Sequence, residues 1–237
     1  MKANKKMLPS VAAVILIISL FSLVLRYLST YHINSSIFSE ISGHITTLAE
    51  TALPLIAAVA MLFAYVSCGG FKKPLLHALP YSLVWFITAF VEYFIAHNRA
   101  GYVLGHNLLL SGAWALFITV TMYAELLVLF FIIIFASRFF ASRKYGKTLT
   151  ANDYIASDDA FDFQNPVTVG IFSASAALFF YNLGIEIANT VKFISSCAGI
   201  YTLGEILYLA FEYVYVLALL FLSYYVAHLT KAFLAKE

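Results

Sequence analysis

Residues 108–140 read LLLSGAWALFITVTMYAELLVLFFIIIFASRFF, and only Glu125 and Arg138 among them carry a formal charge. The stretch holds no proline and one glycine, Gly112. A helix on a water-soluble domain keeps an apolar stripe on one side and polar residues on the other. This one is apolar nearly all round, so it needs lipid or other helices on every side. Its 33 residues, at 1.5 Å each, make a helix of roughly 50 Å, against about 30 Å of bilayer hydrocarbon. One strongly tilted span, or one that runs on past the bilayer, fits that length. Two spans do not, because nothing inside the stretch would turn the chain.

Five further stretches repeat the pattern. With the core of the first, they predict spans at 8–28, 50–68, 75–97, 112–138, 166–187 and 204–228. Pro9, Pro54, Pro74, Pro80 and Pro166 all fall in the first two turns of these predicted spans, where proline costs least. The composition agrees. Hydrophobic residues make up 62% of the chain and charged residues 11%, far from the near-half and one-quarter of soluble domains. The fold class is therefore all-α, a polytopic transmembrane bundle forming one integral membrane domain over residues 1–237.

Lysine and arginine set the expected orientation. Lys2, Lys5, Lys6, Lys72, Lys73, Arg138, Arg143, Lys144, Lys147, Lys231 and Lys236 fall on one side, eleven of fourteen. Arg26, Arg99 and Lys192 fall on the other. Both termini are then cytosolic. The basic start and apolar 8–25 resemble a signal peptide, but residues 26–31 offer no small-x-small cleavage site, so an uncleaved first span is expected. The chain reads as integral to a membrane, with a bacterial plasma membrane as the expected location.

Two connections are long. An outer loop is expected over 29–49, without lysine or arginine. A cytosolic loop is expected over 141–165. It begins basic, turns acidic at Asp153, Asp158, Asp159 and Asp162, and carries Tyr154, Ile155, Phe161 and Phe163, which either pack on one another in a solvated loop or dock on the bundle or a partner. Those aspartates lack calcium-loop spacing. Asn34-Ser35-Ser36 forms a glycosylation sequon close to the first span, with no role assigned.

Several chemistries have no motif. The net charge of +2 and the lack of a basic run argue against nucleic acid. There is no nucleophile elbow and no phosphate-cradling glycine loop. Cys68 and Cys197 fall on opposite sides of the membrane and read as packing residues. His32, His44, His97 and His106 share the outer side but lack metal-ligand spacing. No metal or other cofactor is implied, and the balance leans away from an enzyme.

The informative residues are carboxylates inside spans, which are costly there. Glu50, Glu92, Glu125, Glu186, Glu205 and Glu212 all fall in the outer half or near the midplane. Residues three, four or seven apart share a helix face. That groups Glu205, Tyr208, Glu212 and Tyr215 on the sixth span and Tyr81, Trp85, Thr88 and Glu92 on the third. Thr121 pairs with Glu125 on the fourth, and Asn182, Glu186 and Asn189 group on the fifth. If these stripes converge, they form an acidic, aromatic-lined cavity open to the outside. The expected ligand residues are Glu92, Glu125, Glu205 and Glu212 as charge partners, with Trp85, Tyr208 and Tyr215 as walls. Such a cavity suits a small cation or a cationic ring compound. The leading expectation is a small-molecule or cation transport or capture component. The alternative is a non-catalytic partner or assembly subunit of a larger membrane complex. For Glu50, Glu186 and Glu205 an interfacial ion pair with Arg26, Arg99 or Lys192 is the competing role. Small residues at four-residue spacing (Ala60, Ala64 and Cys68; Gly170 and Ala174, with Ser173 and Ala177) predict close helix packing.

Overall fold

The computed structural model describes residues 7–33, 35–99, 104–150, 152–154, 159–196 and 202–236. Lys2, Lys5, Lys6, Asn34 of the sequon, Ile155, Asp158 and Cys197 lie outside the described residues, as do the side chains of Cys68, His97, Arg99, His106 and Lys236. The chain forms α1 (Met7–Tyr31), α2 (Ser36–Cys68), α3 (Lys72–Arg99), α4 (Leu104–Tyr145), α5 (Pro166–Ser196) and α6 (Leu203–Lys236). A 3-10 turn, Asn152–Tyr154, lies in the described part of the connection between α4 and α5. All six helices are long and apolar enough to cross a membrane. Consecutive helices pack on one another and the chain reverses between them, so both termini lie at one end of the bundle, here the terminal end; the opposite end is the distal end.

Helix boundaries follow local chemistry. Ser35, in extended backbone, opens α2 by accepting the Phe38 N–H at 3.4 Å. Gly69 closes it at φ 67°, donating to the Tyr65 carbonyl at 2.9 Å; this left-handed position favours glycine. Asn165 caps α5 through Oδ1, accepting Val167 N–H at 2.9 Å and Thr168 N–H at 3.3 Å, with Pro166 in the first helical position. Helix α4 is continuous over its 42 residues, about 63 Å at 1.5 Å each. It ends at Gly146, another positive-φ glycine, just after Arg143 and Lys144, whose charges suit a helix C-terminus.

The stretch 29–49 is not a loop. Helix α1 runs to Tyr31 and α2 starts at Ser36, so most of the expected outer loop is helical. Its Ser, Glu, His and Thr residues lower the mean hydropathy, but Ile37, Ile41, Ile45 and Leu48 recur at helical spacing. Two prolines expected in the first two turns of their spans lie inside helices instead, Pro54 in α2 and Pro80 in α3. Pro54 lies deep inside α2. Having no N–H, it leaves the Glu50 carbonyl without its usual helical donor.

Helix α2 is the hub, packing on α1, α3, α4 and α6 and touching α5. Every residue from Thr51 to Ala64 is buried. Ala57, Ala58, Ala60 and Ala64 let neighbours approach closely, as small residues do in apolar bundles. Gly170 does the same for α5. A Cβ there would sit 2.1 Å from Ser137 Oγ and 2.6 Å from the Ile133 carbonyl oxygen of α4. The outer faces carry Ile17, Phe117, Phe135, Phe180, Phe211 and Leu217, all exposed. Such an apolar exterior is consistent with contact with a bilayer.

At the terminal end the α4–α5 connection folds back on the bundle. Tyr154 is buried, and the Tyr224 hydroxyl donates to the Ala160 carbonyl. The Phe163 ring lies 5.3 Å from Phe172 and 6.3 Å from Tyr224. Lys147 Nζ donates to Asp153 at 2.8 Å, and Thr150 donates its N–H and hydroxyl to the other carboxylate oxygen. These three donors hold the Asp153 carboxyl down at about 2.

Candidate functional site

The distal half gathers the carboxylates of the spans. Arg26, near the end of α1, reaches between α2 and α3. Its guanidinium donates to Glu92 Oε1 at 3.0 Å and to Glu50 Oε1 on the other side. One arginine thus ties three helices and compensates two carboxylates.

The triad borders a cavity of about 550 Å³ whose walls come from α1 to α5. On α4, Trp114, Ile118, Met122 and Glu125 line it at spacings of four, four and three, one face of a helix. On α5, Leu178, Tyr181, Asn182 and Ile185 do so. Tyr93 of α3 stacks on Trp114, with ring centroids 5.5 Å apart and planes 24° from parallel. Glu92 is engaged by Arg26. Glu125 has no ion pair or hydrogen bond with a described residue, which makes it the free carboxyl of this cavity.

A second cavity, about 310 Å³, lies between α2, α5 and α6. Glu40, Glu186 and Glu212 line it with His44, Tyr208 and Tyr215, and among the described residues no lysine or arginine does. His44 Nε2 is 3.9 Å from Glu212 Oε1, and its ring lies 4.3 Å from that of Tyr215. The Tyr215 hydroxyl donates to the His44 carbonyl at 2.6 Å, tying α6 to α2. Thr47, Asn182 and Ile185 line both cavities and form the partition between them.

A third space of about 90 Å³ sits beneath the arginine, lined by Ser19, Ser22, Trp85, Glu50 and Glu92 among others. Ser19 Oγ, Ser22 Oγ and Trp85 Nε1 are buried without a protein hydrogen-bond partner. The space is large enough to admit water, which would satisfy these groups.

The structure therefore distributes the expected ligand residues. Glu92 and Glu125 face the larger cavity, while Glu212, Tyr208 and Tyr215 face the smaller. Trp85 belongs to the space below Arg26. Glu205 is taken up at the start of α6. Its Oε2 accepts the Thr202 N–H at 2.7 Å and hydroxyl at 2.8 Å, while its own N–H donates to Thr202 Oγ1 at 3.3 Å. That is a capping box, and the spacing Thr202-x-x-Glu205 carried the signal. Of the proposed interfacial pairs, Glu50 with Arg26 forms. Sequence reasoning missed Glu40, Tyr93, Trp114 and Tyr181. The Trp114–Glu125 spacing could have found Trp114. Glu40 was hidden by reading its segment as a loop.

Among the described residues, no three His, Cys, Asp or Glu side chains gather closely enough to hold a metal ion. A scan against protein-family models and searches among curated proteins and solved structures find no match to this chain.

Proposed function

We propose that this chain is an integral membrane protein that captures or transports a small organic cation through its distal cavities. The observation that carries the reading is Glu125, a carboxyl without a partner among the described residues, in a cavity walled by Tyr93, Trp114 and Tyr181. A carboxylate supplies the counter-charge, and aromatic faces attract a cation through their quadrupole. The neighbouring cavity adds three carboxylates and, among the described residues, no lysine or arginine, a second station for the same charge. Arg26 does not cancel this field, because two carboxylates already engage it.

The charge distribution supports an orientation with both termini in the cytosol, since most lysines and arginines belong to the terminal end. The cavities then face outward, across a plasma membrane of bacterial type.

The test is thermal unfolding of the full chain in mild detergent with methylammonium, tetramethylammonium and benzylammonium, using benzyl alcohol as the neutral control. A ligand at 100 times its dissociation constant adds about 2.7 kcal/mol. The expected result is a shift with a cation but not the alcohol. It should disappear in Glu125→Gln and shrink in Glu212→Gln, with both variants folded. Equal shifts in wild type and both variants would remove the site assignment.

A further inference from the structure

We propose that the groove between α4 and α5 is a lateral doorway, through which an amphiphilic amine reaches Glu125 directly from the bilayer. This rests on the cation-binding reading above and narrows its substrate class.

The groove holds about 290 Å³. Val128, Leu129, Ala177 and Leu178 make most of its wall, and Glu125 is the charged residue among the described ones that line it. Glu125, Leu178 and Tyr181 also line the central cavity, so the two spaces meet at the carboxyl. Val128 is 57% exposed and Tyr181 65%, placing the groove's outer edge on the bundle's apolar exterior. Trp114, at the central cavity, is 44% exposed.

The chemistry of such a meeting point is specific. A carboxylate beside hydrocarbon is costly and calls for a counter-charge. Arg26 does not supply it, because its guanidinium is held by Glu50 and Glu92. A small hydrated cation arriving through the groove would have to shed water against an apolar wall. An amine with an alkyl tail keeps the tail among Val128, Leu129 and Ala177 and presents only its head to Glu125. The aromatic wall of Tyr181 and Trp114 then receives the ammonium.

The experiment uses the full chain in phosphatidylcholine nanodiscs. The chain has two tryptophans, so Trp85→Phe leaves Trp114 as the single fluorophore. The probes are a dibrominated twelve-carbon amine and the matching dibrominated alcohol, which quench tryptophan on contact. The amine is expected to half-quench Trp114 at a membrane mole fraction at least tenfold lower than the alcohol, and Glu125→Gln to remove that preference. Val128→Phe, which narrows the groove from its exposed edge, is expected to weaken the amine and leave benzylammonium binding unchanged. Equal quenching by amine and alcohol, with Glu125-dependent benzylammonium binding intact, overturns the doorway and leaves the cavity reading standing. Loss of both amine preference and benzylammonium binding overturns both.

Discussion

Replacing Gly170 by alanine should push α4 and α5 apart. The added Cβ would lie 2.1 Å from Ser137 Oγ and 2.6 Å from the Ile133 carbonyl oxygen. The serine oxygen can swing away by rotating its side chain. The carbonyl oxygen belongs to the α4 backbone and moves only with the helix. Reaching even the 3.0 Å that real Cβ contacts rarely undercut requires a separation of about 0.4 Å along that line. Overpacking of this kind costs about 1–3 kcal/mol, and a backbone obstacle puts the cost toward the upper end. Alanine recovers up to ~1 kcal/mol through its better helix propensity. The net expectation is a loss of about 1–2 kcal/mol, read as a lower unfolding midpoint in mixed micelles titrated with a denaturing detergent. Gly112 and Gly184 have nothing within 4 Å of the corresponding position, so Gly112→Ala and Gly184→Ala serve as neutral or stabilising controls. Ser137→Ala added to Gly170→Ala should recover only part of the loss, since the Ile133 contact remains. A Gly170→Ala protein as stable as Gly184→Ala would refute the close α4–α5 crossing. The crossing also bears on the cavity, because α4 carries Glu125 and α5 carries Tyr181 on its opposite wall.

Arg26→Met should destabilise the fold by about 1 kcal/mol, the scale of exposed ion pairs, because it leaves Glu50 and Glu92 without their cation. Adding Glu50→Gln and Glu92→Gln should restore much of the loss, and a fully stable Arg26→Met would contradict the triad. Thr202→Ala should cost about 1 kcal/mol through the lost cap, while Glu205→Gln should leave benzylammonium binding unchanged; weaker binding there would return Glu205 to the site. Asp153 titrates lower in the folded protein, at about 2 against an ordinary 3.8, so its stabilisation is complete above the ordinary value and is lost as pH falls through the folded one. Proteolysis of the α4–α5 connection in Asp153→Asn should therefore exceed wild type by a constant factor from pH 5 to 8, with the difference closing between about 3.8 and about 2; a difference that grows on acidification would contradict that sign.

Much of this architecture is legible in the sequence because apolar length is a strong signal. Six stretches give six helices, and the placement of Glu92, Glu125 and Glu212 in the distal half follows from counting along them. The segment 36–49 escaped because hydropathy averages over all faces of a helix. Ser42 and Thr46 are buried there, and the isoleucines at 37, 41 and 45 face outward, the reverse of a soluble helix. The division into two cavities was not legible for a different reason. Faces can be read from spacing, but which faces meet depends on the packing order of the helices. That order is set by α2, whose buried run of small and apolar residues draws four other helices around it. With α2 central, its Thr47 and Asn182 of α5 line both cavities, between Glu125 on one side and Glu212 on the other. Arg26 stood in the sequence as one of few outer basic residues, yet its capture of two glutamates from different helices needs the same three-dimensional order.

The most direct test of the cation site is equilibrium dialysis of labelled benzylammonium against the full chain in phosphatidylcholine nanodiscs. Wild type should bind saturably, with benzyl alcohol failing to compete. Glu125→Gln should bind at least tenfold more weakly, about the 1.4 kcal/mol expected at minimum from losing a charge-assisted contact. Superimposable isotherms for wild type and Glu125→Gln would contradict the account, leaving Glu125 as a group that serves helix packing alone.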